Sequence, residues 1–152
     1  YTLAEKERHY EHLIARRHDR HHFVAPLILH DPNRPQDGGI KVATDNDGLR
    51  TGIYLAAAAM RYALLGTEEA KRRARETFSA MELLESKTGL PGFPARAVVK
   101  KGEQVKAGQV LCILEAMKME NEIAASKNGT VREVYVSEGS SVSEGESLFM
   151  ID

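Results

Sequence analysis

Gln109-Val110-Leu111-Cys112-Ile113-Leu114-Glu115-Ala116-Met117-Lys118-Met119-Glu120-Asn121-Glu122-Ile123-Ala124-Ala125 decides the fold of the last third of this 152-residue chain. Gln109 to Leu114 is a run of strand formers, and Asn121 to Ala125 is a second. Between them the chain must reverse within Glu115–Glu120, and Lys118 stands near the middle of that reversal. A hairpin tip sends its side chains into water from a short, well-defined backbone. Met117 and Met119 flank the lysine where apolar side chains lower solubility unless a partner reads them. Such a lysine is suited to modification, because its amine can enter another enzyme's active site.

An internal repeat surrounds the hairpin. Gly102 and Gly139 lie 37 residues apart, and the same offset relates Val105 to Val142, Gly108 to Gly145, Leu111 to Leu148, Ile113 to Met150 and Leu114 to Ile151. Each copy reads strand, glycine turn, valine, glycine turn, strand. Two intertwined copies around one core predict a small flattened β-barrel with pseudo-twofold symmetry. Carried backward, the register matches Gly92 to Gly129 and Val99 to Val136, so Phe93 to Val99 should be the opening strand. Its counterpart, Thr130 to Val136, alternates as a half-buried strand does. In the first copy Pro94 stands where Val131 stands, which removes a backbone donor and an apolar side chain. The opening strand is expected to be compromised, at the seam of a fusion or recombinant chain.

Ala116-Met117-Lys118-Met119, with Glu115 and Glu120 outside it, closely resembles the attachment motif of biotinyl (biotin carboxyl carrier) domains. The resemblance covers residues from about 90 to 152 and implies the same flattened barrel. Leu90-Pro91-Gly92 fits the family's usual opening, whereas Phe93-Pro94-Ala95-Arg96 departs from it. What the resemblance implies for Lys118 is an amide bond to biotin, with Ala116, Met117 and Met119 completing the motif. It also implies three partners: a biotin–protein ligase that modifies the lysine, a biotin carboxylase that loads carboxylate, and a carboxyltransferase that receives it. The carrier would be a part of a biotin-dependent carboxylase or decarboxylase, not catalytic alone. Lipoyl domains share the fold but usually carry Asp-Lys-Ala at the tip, which disfavours lipoylation here. No insertion separates Arg96 from Gly108, so the domain resembles the thumbless carriers of pyruvate, propionyl-CoA and methylcrotonyl-CoA carboxylases.

Residues 1–89 read as helical. Thr2 and Glu5 form a capping box that opens a charged helix over 1–22, with Leu3, Tyr10, Leu13, Ile14 and Arg17 near one face. His18, His21 and His22 would share that helix at a spacing open to a metal, but Arg16, Arg17 and Arg20 oppose a cation; a solvated basic face is the expectation. Phe23 to Leu29 is a short apolar run in which Pro26 argues against a central strand. A long loop is expected from Asp31 to Arg50. Its Asp45-Asn46-Asp47-Gly48 lacks the remaining ligands of a calcium loop and reads as turn chemistry. Residues 52–65 predict a helix apolar almost all round and therefore buried. Gly66 stops it, and Thr67 caps a second helix from Glu68 to about Lys87, ending at Gly89. Ala70, Ala74, Phe78, Met81 and Leu84 would form the buried face of that helix, and Lys71, Arg72, Arg73 and Arg75 the solvated one. Residues 45–89 weakly resemble a helical hairpin of the α/α-toroid enzymes. The alternative function is therefore a fragment of a carbohydrate-active enzyme or binding module with the carrier as passenger. A fragment would expose the apolar surface of residues 52–65 and self-associate through it.

Composition bounds the rest. The net charge is −1 with 28% charged residues, which gives no footing for nucleic acid or an anionic membrane. No apolar run is long enough to span a bilayer and no signal-peptide pattern opens the chain. Cys112 is the only cysteine, so no intrachain disulfide can form; a reducing cytoplasm fits, and a small core residue is its expected role. Tyr1 in place of methionine points to an excerpt or processed product. The expected fold class is α + β in separate parts: a helical segment over 1–89 and a carrier domain over 90–152.

Overall fold

The computed structural model describes residues 1–44, 46–87, 94–116, 119–137 and 140–152, with residues 115, 116, 119 and 120 by backbone alone. Asp45, Gly89, the opening Leu90-Pro91-Gly92-Phe93, Met117, Lys118 and Gly139 lie outside the described residues.

α1 spans Leu3–Leu13 and opens on the expected capping box: Thr2 Oγ1 accepts from the Glu5 amide, and the Glu5 carboxylate accepts from the Thr2 amide at 2.7 Å. The helix does not reach residue 22. One π turn, Ile14–His18, follows, and then the antiparallel strands β1 (Asp19–Arg20) and β2 (Phe23–Val24). Asp19 causes the reversal, because its Oδ1 accepts from the His22 amide at 2.8 Å. On α1, Leu3 and Tyr10 are exposed, so only the C-terminal part of the expected face is covered. The expected loop over 31–50 is also broken up. β3 (Leu27–Leu29) begins directly after Pro26 and pairs antiparallel with β4 (Gly39–Lys41).

α2 runs Asp47–Leu65, starting five residues before the expected position. Thr44 and Asp47 exchange bonds at its start: the Asp47 amide donates to Thr44 O, and Asp47 Oδ1 accepts from the Thr44 amide at 3.1 Å. Gly66, with φ of 63°, ends α2, and Thr67 Oγ1 accepts from the Ala70 amide to open α3 (Glu68–Lys87). α2 buries Asp47, Thr51, Tyr54 and Ala58, and α3 buries Ala70, Arg73, Thr77, Ala80 and Leu84. Both stripes follow helical spacing.

Their content corrects the sequence reading. Arg73 is buried rather than solvated, and Phe78, expected inside, is 53% exposed. α2 is not covered all round either: Ile53, Met60 and Leu64 face water. An ionic network accounts for Arg73. Its Nε donates to Tyr54 Oη at 2.9 Å, its Nη1 pairs with Asp19, and Tyr54 Oη donates to Glu11 at 2.6 Å. A planar fork of donors can be satisfied in the interior when its partners are fixed in place, and that turns its face of the helix inward. Burial, with the Glu11 carboxylate, pushes the Tyr54 phenol up to about 12.

The C-terminal region contains β5 (Gln104–Val105), β6 (Val110–Ala116), β7 (Met119–Ala124), β8 (Gly129–Val134) and β9 (Phe149–Ile151). β5, β8 and β9 form one sheet in the order β5-β8-β9, and β6 and β7 form another. Val105, Ala125 and Val131 make the core, with Val99, Leu111, Phe149 and Ile151 against it. The described strands do not close into a barrel. The repeat is nevertheless present in the turns. Gln109 N donates to Lys106 O at 2.9 Å, and Glu146 N donates to Ser143 O at 3.1 Å. In both turns the last side chain accepts from the first amide, Gln109 from Lys106 and Glu146 from Ser143. Gly108 and Gly145 take φ of 81° and 84°, which a side chain disfavours. A second pair of turns, Lys100–Glu103 and Ser137–Ser140, repeats the same two bonds.

Strand pairing does not repeat. Residues 94–99, the counterparts of 131–136, form no strand. As Pro94 foretells, the segment is diverted: Ala95 N donates to Leu84 O at 2.8 Å, and Ala95 and Val98 pack on Phe23, Ala80 and Leu84. It ties the helical layer to the β region. Arg20 makes the same link with charge, pairing with Asp47 of α2 at 2.5 Å and with Glu103 beside β5.

Candidate functional site

The site is an arm made of two strands. β6 and β7 pair antiparallel through Cys112↔Ile123, Ile113↔Glu122, Leu114↔Asn121, Glu115↔Glu120 and Ala116↔Met119, with an irregularity between Val110 and Cys112. Met117 and Lys118, the two residues that join the strands, are outside the described residues; so are the side chains of Glu115, Ala116, Met119 and Glu120. The strand boundaries lie closer to the lysine than the sequence reading put them, by two residues on each side.

The base of the arm is fixed. Gly108 N donates to Ala125 O and Ala125 N to Gln109 O, both at 2.8 Å, and Ala107 N donates to Asn128 Oδ1 at 2.9 Å. Leu111 packs on the Val105–Ala125–Val131 core, so the apolar anchor sits at the bottom of the hairpin. Above it Ile113 is 45% exposed, and Asn121, Glu122 and Ala124 are exposed. From Leu111 to Ala116 a strand covers roughly 17 Å at its usual rise. A rigid base with a solvated arm suits a residue that must be grasped by other proteins. In sequence, Met117 and Lys118 link the two paired strands. Burial pushes the Cys112 thiol above its ordinary value.

The other candidates from the sequence are not assembled into a centre. His18 Nδ1 bonds Ala25 O at 3.0 Å, and His21 and His22 form the β1–β2 connection with φ of 55° and 70°, so the three do not share a helix face. Burial, with Lys100, holds the His21 imidazole below its ordinary value. Asp47 is wholly buried, with Arg20 on Oδ2 and Thr44 on Oδ1. Burial pushes its carboxyl up against the pull of Arg20. Sequence reasoning missed the Arg20–Glu103 pair, whose members are 83 residues apart. Among the described residues, no helix is long and apolar enough to cross a membrane.

Comparison with known proteins bears on the same region. The family described as biotin-requiring enzyme matches residues 90–151. The chloroplastic biotin carboxyl carrier protein of acetyl-CoA carboxylase from Glycine max is 49% identical over 61 residues, which are 40% of this chain and 22% of that protein. The biotin carboxyl carrier protein of Streptococcus mutans is 47% identical over 62 residues, 41% of this chain and 48% of that protein. The mitochondrial propionyl-CoA carboxylase alpha chain of Homo sapiens is 41% identical over 63 residues, 41% of this chain and 9% of that protein. The chain spans less than half the length of each of these relatives. With its two-stranded hairpin and its repeated turns, the segment 90–151 matches the family described as biotin-requiring enzyme, which supports a biotinyl domain there.

Proposed function

We propose that this chain is a biotin carboxyl carrier and that Lys118 is the residue that holds biotin. The observation that carries the proposal is the β6–β7 register, which pairs down to Ala116↔Met119 and leaves Met117 and Lys118 as the link between two fixed strands. Once attached, biotin supplies a ureido nitrogen that takes up and releases carboxylate. The chain's own residues hold and present that group. The Lys118 amine attacks only when unprotonated, so a biotin–protein ligase must take up its proton in the complex. Met117 and Met119 would present the turn to the ligase, and Ala116 would help to shape it. The two-stranded arm then limits the volume the group explores, which raises its effective concentration at a biotin carboxylase and at a carboxyltransferase.

In this reading residues 90–152 form the working unit as a flattened, pseudo-twofold barrel of the thumbless kind, and residues 1–89 lend Arg20 and the Phe23–Ala80–Leu84 surface to its incomplete side. A lone thiol and no possible disulfide suit the cytoplasm. The rival reading places the activity in the helical segment, but Asp47, the described acid at the start of α2, is committed to Arg20 and Thr44. Lys118→Arg tests the proposal. After co-expression with a ligase and biotin, avidin should detect the parent chain and not the variant, while circular dichroism stays unchanged. Equal signal from both would move the attachment elsewhere.

A further inference from the structure

α2 has two faces, and the apolar one is turned outward. At about 100° per residue, Leu49, Ile53, Met60 and Leu64 fall within an arc of about 60°. They are 64%, 67%, 66% and 85% exposed. Asp47, Thr51, Tyr54 and Ala58, the buried stripe, lie on roughly the opposite side. Ala56 and Ala57, midway along the helix, flank that arc on either side and are exposed as well. Charge is kept off it. Arg50 Nη1 donates to Thr44 Oγ1 at 2.7 Å, and Arg61 is held by Glu7 and by Glu69, the latter at 2.8 Å.

We propose that this face is the interface of a two-fold dimer in which α2 packs antiparallel on α2 of a second copy of this chain. The order of residues favours that occupant. Leu49 and Leu64 are equally distant from the midpoint between Ala56 and Ala57, and so are Ile53 and Met60. A two-fold interface needs this property, because each residue must meet its counterpart reciprocally. Antiparallel packing sets Leu49 against Leu64 of the second copy, Ile53 against Met60, and the alanines on either side of the axis. Small residues beside the axis let two helices approach to about 8 Å. No like charges face each other, and the helix dipoles oppose. On the order of 500 Å² of apolar side chain leaves water per copy, about 1,000 Å² in the pair, which falls in the small class of interfaces that associate weakly and reversibly.

The inference is independent of Lys118, and its test reads association rather than biotin. Sedimentation velocity on the full chain over a concentration series should show a reversible monomer–dimer equilibrium. Ile53→Glu with Met60→Glu should shift it to monomer at every concentration, with the helical circular dichroism retained because both positions are exposed. To fix the direction of packing, Leu49→Cys and Leu64→Cys chains are mixed, each in a Cys112→Ser background. Oxidation should give the mixed disulfide and little of either like-with-like product. A chain that stays monomeric throughout, a dimer that survives the double glutamate variant, or preferential like-with-like cross-linking would each overturn the proposal.

Discussion

The two regions of the molecule solve burial in different ways. In the helical layer the interior mixes charge with apolar side chains: Arg20, Asp47, Thr51, Arg73 and Thr77 are buried beside Phe23, Tyr54, Ala80 and Leu84, while Ile53, Met60, Leu64 and Phe78 face water. In the β region the buried cluster is apolar, Val105, Ala125 and Val131, and the hairpin above it is solvated. Buried ion pairs add little net stability but are sensitive to the loss of one member, because the charge left behind has no solvent. A small apolar core behaves otherwise: it loses stability in proportion to the side chain removed. Two devices join the regions, the Arg20–Glu103 pair and the diverted segment 94–99.

Arg20→Ala should have the largest effect on stability. It strands both Asp47 and Glu103 in the interior and should lower the unfolding free energy by about 3–5 kcal/mol in urea titration. Hydrogen exchange should then show lost protection in α2 and in β5 together. Loss confined to the helices would mean that the link to Glu103 does not hold the regions as one. Val131→Ala sharpens the contrast. It should cost about 2 kcal/mol through the β core, with exchange accelerated in β8 and β9 and unchanged in α3. An equal change in α3 would argue for one continuous core. Gly108→Ala and Gly145→Ala probe the repeat, and each should cost about 1 kcal/mol because alanine must adopt a left-handed backbone. The two thermal shifts should match. A large difference would mean that the turns share bonds but not energetics.

Elements that are specified by their own residues were legible in the sequence. α3 lies where Thr67 and Gly66 place it, and the hairpin strands surround Lys118 as the two apolar runs indicate. Pro94 announced the missing strand through its own chemistry. The start of α2 had only a weak local sign: Asp47 Oδ1 accepts from the Thr44 amide, but the N-cap, Asn46, makes no side-chain capping bond. β4 had none, since three residues of Gly-Ile-Lys show no period. The buried arginines were beyond any local pattern. Arg73 sits in a run of like charges, and Tyr54 and Asp19, 19 and 54 residues away, turn it inward. The histidines failed as a helical cluster for a related reason: Asp19 binds the His22 amide and ends the helix before the three can align.

The most direct test of the account is the intact mass of the chain after reaction with a biotin–protein ligase and biotin, followed by mapping of the modified peptide. One biotinyl group on Lys118 is the predicted result, and it would mean that the arm is presented in native form although residues 94–99 have left the sheet. No gain in a chain that is folded by circular dichroism, or a gain on another lysine, would contradict the assignment of Lys118 as the carrier residue.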